Sequence, residues 1–200
     1  MFFLKVLGAF RLKKVLIFFT CLMMCFSSAI ANAEGLAEGL ADAISVEFGK
    51  ADDDIDVVRV AIKKDISGWL KSKNIPVDGY IETSFNSWLG FKDDIYAVAI
   101  SPVIHTKLCK DCYYKTYLEA GTGVALLSDD TIDEIDLSSN FQFESRFGAG
   151  VKADNFDAYV RIMHYSNAGI AKPNDGINIF LLGLEYSFSN MTEDMRKAIR

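Results

Sequence analysis

His164 stands two residues before Ser166 at the end of an apolar alternating run, so in an extended strand both side chains leave from one face. An imidazole beside a hydroxyl is how a serine becomes a nucleophile: the ring takes the proton as general base and the oxygen attacks a carbonyl carbon. Such chemistry needs no metal and no organic cofactor. Spacing alone does not make a triad, which is recognised by geometry, so the elements that hold the pair decide its meaning. After Ser166 the chain runs Asn167-Ala168-Gly169-Ile170-Ala171-Lys172 into Pro173-Asn174-Asp175-Gly176. The last four read as a turn, because Pro fixes its φ, Asn and Asp tolerate left-handed backbone, and Gly adopts it freely. Another alternating run begins at Asn178.

The N-terminus is no part of this architecture. Lys5, Arg11, Lys13 and Lys14 form a basic region, Val15 to Phe26 an apolar one, and Ala31-Asn32-Ala33 a small-x-small cleavage site, which together predict a secretory signal peptide over 1–33. The apolar run is shorter than the roughly 20 residues a spanning helix requires. The mature chain is then expected to start at Glu34. Losing the leader moves the formal net charge from −6 to −10, because it carries four positive charges and no negative one. So acidic a chain is a poor partner for nucleic acid. Cys21 and Cys25 leave with the leader, and Cys109 and Cys112 remain, spaced C-x-x-C. In an exported chain with no thioredoxin-like context and no further zinc ligands, they read as a structural disulfide pinching a turn.

From residue 44 onward period-2 alternation recurs. Ile44, Val46 and Phe48 alternate with Ser45 and Glu47; Val58, Val60 and Ile62 with Arg59, Ala61 and Lys63; Ile81, Thr83 and Phe85 with Glu82, Ser84 and Asn86. Gly49 to Asp54 is an acidic turn, and Asp65 to Asp78 a longer connection with room for a short amphipathic helix around Trp69. A fourth run, Ile95 to Thr106, sets Tyr96, Val98, Ile100 and Ile104 on one face and His105 on the other, with Pro102 marking a bulge or weakened pairing. His105 has no serine, cysteine or acid cluster near it in sequence and reads as structural. A fifth run, around Leu118 to Leu126, is followed by an acidic loop, Leu127 to Asp136. The sixth sets Phe141, Phe143, Phe147 and Val151 against Gln142, Glu144, Arg146, Gly148 and Gly150. The seventh is Phe156 to Ser166 and the eighth Asn178 to Phe188.

Eight runs, mostly of the about 9 to 11 residues that a tilted membrane strand needs, predict an all-β fold: an eight-stranded antiparallel transmembrane β-barrel of outer-membrane type over 34–188. A polar tail, 189–200, follows it. The polar faces carry both charge signs, Arg59, Arg146 and Arg161 against Glu82, Glu119, Glu144 and Glu185, interleaved with glycines, which suits a narrow crowded interior. The opposite faces are too apolar to meet water on every strand, which argues against a soluble lipid-carrying barrel. By parity His164, Ser166 and Asn178 then lie on the lipid side, where polar groups are costly and functional by default. An even strand number puts both barrel termini on the periplasmic side, so the turn after Ser166 meets the outer leaflet. The remaining alternative is a small barrel with a structural or adhesive role, in which the His-x-Ser pair is incidental.

The string H-Y-S-N-A-G followed by P-N-D-G, with the preceding Phe141 to Val151 strand, resembles the outer-membrane lipid A 3-O-deacylases of PagL type. The resemblance implies a serine esterase of the cell outer membrane that removes an ester-linked acyl chain from the lipid A of lipopolysaccharide. It implies Ser166 as nucleophile, His164 as its base, and an oxyanion site made by Asn174 with backbone N–H groups near Ala168 and Gly169. The glutamate that serves as the family's acid falls on Asn178 here. Asparagine can orient a histidine but cannot stabilise an imidazolium by charge. Asp175 is the alternative third member if its loop folds back.

Overall fold

The structure, a computed structural model, describes residues 41–75, 77–108 and 114–188. The expected signal peptide, Cys109 and Cys112, expected to form a disulfide, and the expected polar tail from 189 lie outside the described residues. Eight long strands close on themselves: β1 (Ala43–Ala51), β2 (Asp56–Asp65), β3 (Asp78–Leu89), β4 (Asp94–Lys107), β5 (Lys115–Leu127), β8 (Phe141–Ala153), β9 (Phe156–Ser166) and β10 (Ile177–Ser187). Each pairs antiparallel with its chain neighbours, and β10 pairs with β1, so no edge is left open. Between β5 and β8 a two-stranded hairpin, β6 (Thr131–Ile132) and β7 (Ile135–Asp136), forms its own small sheet. A six-residue helix, Ser67–Ser72, follows β2, where the sequence left room for one.

The alternation reads out as an inside and an outside. Ile62, Phe85, Val98, Ile100, Phe147, Val160, Ile162, Phe180, Leu182 and Leu184 are all exposed, forming an apolar belt around the wall. The inward face of the middle of the barrel is ionic. Arg161 donates to Glu119 at 2.6 Å and to Glu47 at 2.8 Å, and Arg59 reaches Glu82 at 2.6 Å and Glu47 at 3.0 Å. Arg146 joins Glu82 to Glu144, and Tyr80, Tyr159 and Tyr165 donate to Glu119, Glu47 and Glu144. Gly183 makes room for this packing: a Cβ there would lie 2.2 Å from the Tyr159 ring. His105 is wedged between Tyr80 and Tyr117, with ring centroids 6.0 and 5.9 Å away. The apolar face points out and ions fill the centre, the reverse of a lipid-carrying barrel.

Two features depart from the alternation. Pairing of β4 with β5 lapses at Ser101 and Pro102 and resumes in the same register at Val103, since Pro has no N–H to give to the ladder. The acidic loop after Leu127 is in fact a hairpin that buries Ile132 and Ile135, together with Leu137 beyond it. Those side chains join Trp88, Ile95, Met163, Tyr165, Ile177 and Ile179 in an apolar plug inside one end of the barrel. Two-residue strands are too short to display a period, so the acidic residues between the isoleucines dominate the sequence signal. The other end, where residues 41 and 188 lie, opens into a cavity of about 530 Å³ lined by Lys63, His105, Tyr117, Asp157 and Glu185.

Candidate active site

The site sits on the outer wall at the plugged end, where β9 stops and β10 starts. Along β9 the inward side chains Met163 and Tyr165 are buried, while His164 is exposed and Ser166 half-buried. Tyr165 is the anchor. Its hydroxyl donates to Glu144 at 2.5 Å and its ring meets Trp88 edge-on at 4.9 Å, so its two neighbours are forced outward by the strand's own alternation. The histidine and the serine therefore share a face that the barrel interior fixes from behind.

The cross-strand register supplies the next contact. His164 lies directly opposite Asn178 on β10, and its Nδ1 is 2.9 Å from Asn178 Oδ1. With Nδ1 engaged, Nε2 is the ring nitrogen left for Ser166. On the other flank Ser145 of β8 lies opposite His164, and Phe143 opposite Ser166. Gly176 closes the pocket around the ring: its φ is +66°, and a Cβ built there would lie 2.9 Å from His164 Cε1. Asn178 is held in turn by Asp52, in the turn between β1 and β2. One Asp52 carboxylate oxygen accepts from the Asn178 backbone N–H at 2.7 Å and from its Nδ2 at 3.0 Å.

The loop from 167 to 176 is organised by Asn167, which is fully buried. Its Nδ2 donates to Leu137 O at 2.8 Å and Ala171 O at 3.2 Å, and its Oδ1 accepts from Gly169 N–H at 2.8 Å. The Asn167 backbone N–H donates to Asn174 Oδ1 at 3.1 Å, which leaves the Asn174 Nδ2 group as that side chain's free donor. Ala168 and Gly169 are both left-handed, with φ of 56° and 79°. Of the predicted oxyanion donors, the Gly169 N–H is thus spent inside the loop. Asn174 Nδ2 and the Ala168 N–H make no hydrogen bond among the described residues.

Asp175 does not reach His164. Its carboxylate accepts from Asp136 N–H at 3.1 Å and its N–H donates to Asp136 O at 3.3 Å, which ties the loop to the β6–β7 hairpin. The position expected to hold a substitute acid is occupied by a loop brace. Asn167 and Asp52 were absent from the sequence-based site. Asn167 carried a usable signal, an amide between the serine and an Ala-Gly pair of loop type; Asp52 carried none beyond an acidic turn.

The chain as a whole has relatives among known proteins. The model of the lipid A 3-O-deacylase (PagL) family matches residues 56–187. The chain belongs to this family. Lipid A deacylase PagL of Pseudomonas aeruginosa is 34% identical over 117 residues, covering 57% of this chain and 67% of the relative. That of Bordetella bronchiseptica is 36% identical over 73 residues, 36% of this chain and 41% of the relative. The crystal structure of the outer membrane enzyme PagL aligns with a TM-score of 0.66 at 30% identity, over 73% of this chain and 99% of that one. Family membership speaks for an ester hydrolase and against the structural or adhesive alternative. The family match includes His164, Ser166, Asn174 and Asn178 and begins after Asp52.

Proposed function

We propose that this member of the family hydrolyses the 3-O ester of lipid A with Ser166 as nucleophile and His164 as general base, on the lipid-facing wall of an outer-membrane barrel. The observation that carries the reading is the imidazole on the outside of the barrel, held at Nδ1 by Asn178 at 2.9 Å, with Ser166 two residues along the same face. Nothing in barrel packing calls for that arrangement. Polar groups facing hydrocarbon are costly and are retained where they act.

The steps follow from the groups present. His164 Nε2 takes the Ser166 proton as Oγ bonds to the ester carbonyl carbon, and the oxyanion is met by the Ala168 N–H and Asn174 Nδ2. Collapse expels the sugar hydroxyl, which leaves with the proton from His164, and an acyl group remains on Ser166. Water, deprotonated by His164, then releases the fatty acid and restores the serine. The site lies at the barrel rim, where acyl chains and water are both within reach. The plugged end is opposite both barrel termini, so periplasmic termini turn the site toward the outer leaflet, where lipopolysaccharide lies. The belt contacts the surrounding lipids, and export proceeds with loss of residues 1–33.

The test is mass spectrometry of lipid A from cells making the parent, Ser166→Ala or His164→Ala. The parent removes one hydroxylated acyl chain; neither variant does, although both assemble as heat-modifiable barrels in the outer membrane. Continued deacylation by an assembled Ser166→Ala protein ends the serine-esterase reading.

A further inference from the structure

We infer that Asp52 completes the catalytic apparatus from the far side of the barrel seam, as a positioning residue that sets the orientation of the Asn178 amide and through it the tautomer of His164. The inference rests on the esterase reading above.

The argument begins with what a carboxylate can do. Asp52 Oδ2 only accepts, and it lies 3.0 Å from one end of the Asn178 side chain and 2.7 Å from its backbone N–H. The end of the amide that faces Asp52 must therefore be its NH2 group. That turns the carbonyl Oδ1 toward His164, 2.9 Å away. An oxygen facing Nδ1 requires that Nδ1 carry the proton, so Nε2 is left with a lone pair, the state a general base needs. Without Asp52 the amide is free to turn over, presenting NH2 to Nδ1 and placing the proton on Nε2, where it is useless. Asp52 also supplies the negative charge that Asn178 lacks. When His164 becomes an imidazolium, the field of Asp52 reaches it through the polarised amide, in a surrounding of lipid and protein that weakens it less than water does. Asp52 belongs to the turn between β1 and β2, and the seam between β1 and β10 brings it beside Asn178, 126 residues away.

Carboxylates in series would repel, which provides the decisive experiment. In the parent background Asp52→Ala should lower kcat for release of the hydroxylated fatty acid by about 10- to 100-fold, the range seen when a partner that orients a histidine from behind is removed. Asp52→Asn, whose Oδ1 still accepts both bonds but carries no charge, should lower it less. KM should hold, because Asp52 does not touch substrate. In the Asn178→Glu background a carboxylate meets His164 directly and lies against Asp52, so Asp52→Asn should there leave kcat unchanged or raise it. This reversal separates orientation of the amide from simple support of the turn, which would lose activity in both backgrounds. Parental kcat in Asp52→Ala, or equal losses in the two backgrounds, overturns the proposal. Imidazole 15N NMR of the protein in detergent micelles decides independently of how the Asn178→Glu protein assembles: His164 should be a single Nδ1–H tautomer in the parent and a mixture in Asp52→Ala, and an unchanged spectrum overturns the proposal. Ser166→Ala in the same preparation keeps the two ideas apart. If it is inactive while Asp52→Ala is not, only the Asp52 assignment falls; if it is active, the esterase reading falls and this inference with it.

Discussion

Gly176→Ala is the sharpest perturbation available at the site, because one methyl group is aimed at the His164 imidazole. The added Cβ would lie 2.9 Å from His164 Cε1 and 3.4 Å from Nε2. Carbon pairs settle at about 3.5–4.0 Å, so the ring must retreat by about 0.6 Å or more. Such a retreat disturbs the 2.9 Å contact of the ring with Asn178. Misplacing a catalytic group by about 1 Å can cost about 100-fold, so kcat should fall by about 10- to 100-fold with KM near the parental value. A second cost is conformational: φ is +66° at this position, and an L-residue in the left-handed region costs about 1–2 kcal/mol. Gly176→Asn separates the two, since asparagine tolerates that region but brings the same Cβ. Both variants should assemble, because the buried ionic centre is untouched, and both should release fatty acid slowly from purified lipopolysaccharide in detergent. Parental kcat in Gly176→Asn would show that strain alone slows Gly176→Ala. Parental kcat in both would show that the working imidazole does not occupy this position, and the reasoning from its contacts would fail.

Two further expectations concern the scaffold. Arg161→Met removes the cation that joins Glu119 to Glu47 and leaves a buried carboxylate without its partner, which should destabilise the barrel by about 3–5 kcal/mol in urea unfolding followed by tryptophan fluorescence; adding Glu119→Gln should recover part of the loss, and no recovery would refute the pairing. At the plugged end, Asp133 accepts from the N–H groups of Phe91 and Lys92, each at 2.6 Å, and so holds the β6–β7 hairpin against the β3–β4 turn. Partial desolvation works to raise the Asp133 carboxyl, but the backbone N–H groups of Lys92, Phe91 and Asp93 outweigh it and hold it below its ordinary value. A lowered pKa in the folded state means that the clamp is fully present above the unfolded value and is lost as pH falls through the folded one. Hydrogen-exchange protection of the Phe91 and Lys92 amides, corrected for intrinsic rates, should decline across that acid range, and Asp133→Asn should abolish the dependence.

The barrel was legible because its signal is local. A strand with lipid on one side and a packed interior on the other must alternate, and eight such runs fix the wall, the outward parity of His164 and Ser166, and the inward Arg and Glu side chains. Pro102 announced its lapse in pairing for the same reason, since a missing N–H belongs to the residue itself. The pairing of His164 with Asn178 was within reach too, because β9 and β10 follow one another in the chain and alternation puts both residues on the outward face of adjacent strands. Asp175 shows where local reasoning stops: it lies in the right loop, but its carboxylate is taken by Asp136, 39 residues earlier in the chain, on a hairpin too short to show a period. Gly169 is similar, its N–H turned inward by an asparagine whose burial depends on Leu137. Asp52 lies furthest from the sequence. Only closure of the sheet, β1 against β10, carries the first turn of the barrel to the start of its last strand, and no pattern within either segment encodes that meeting. Periodicity depends on the two dihedrals of each residue and is written along the chain, whereas the contact of Asp52 with Asn178 depends on where a closed cylinder returns to its starting point.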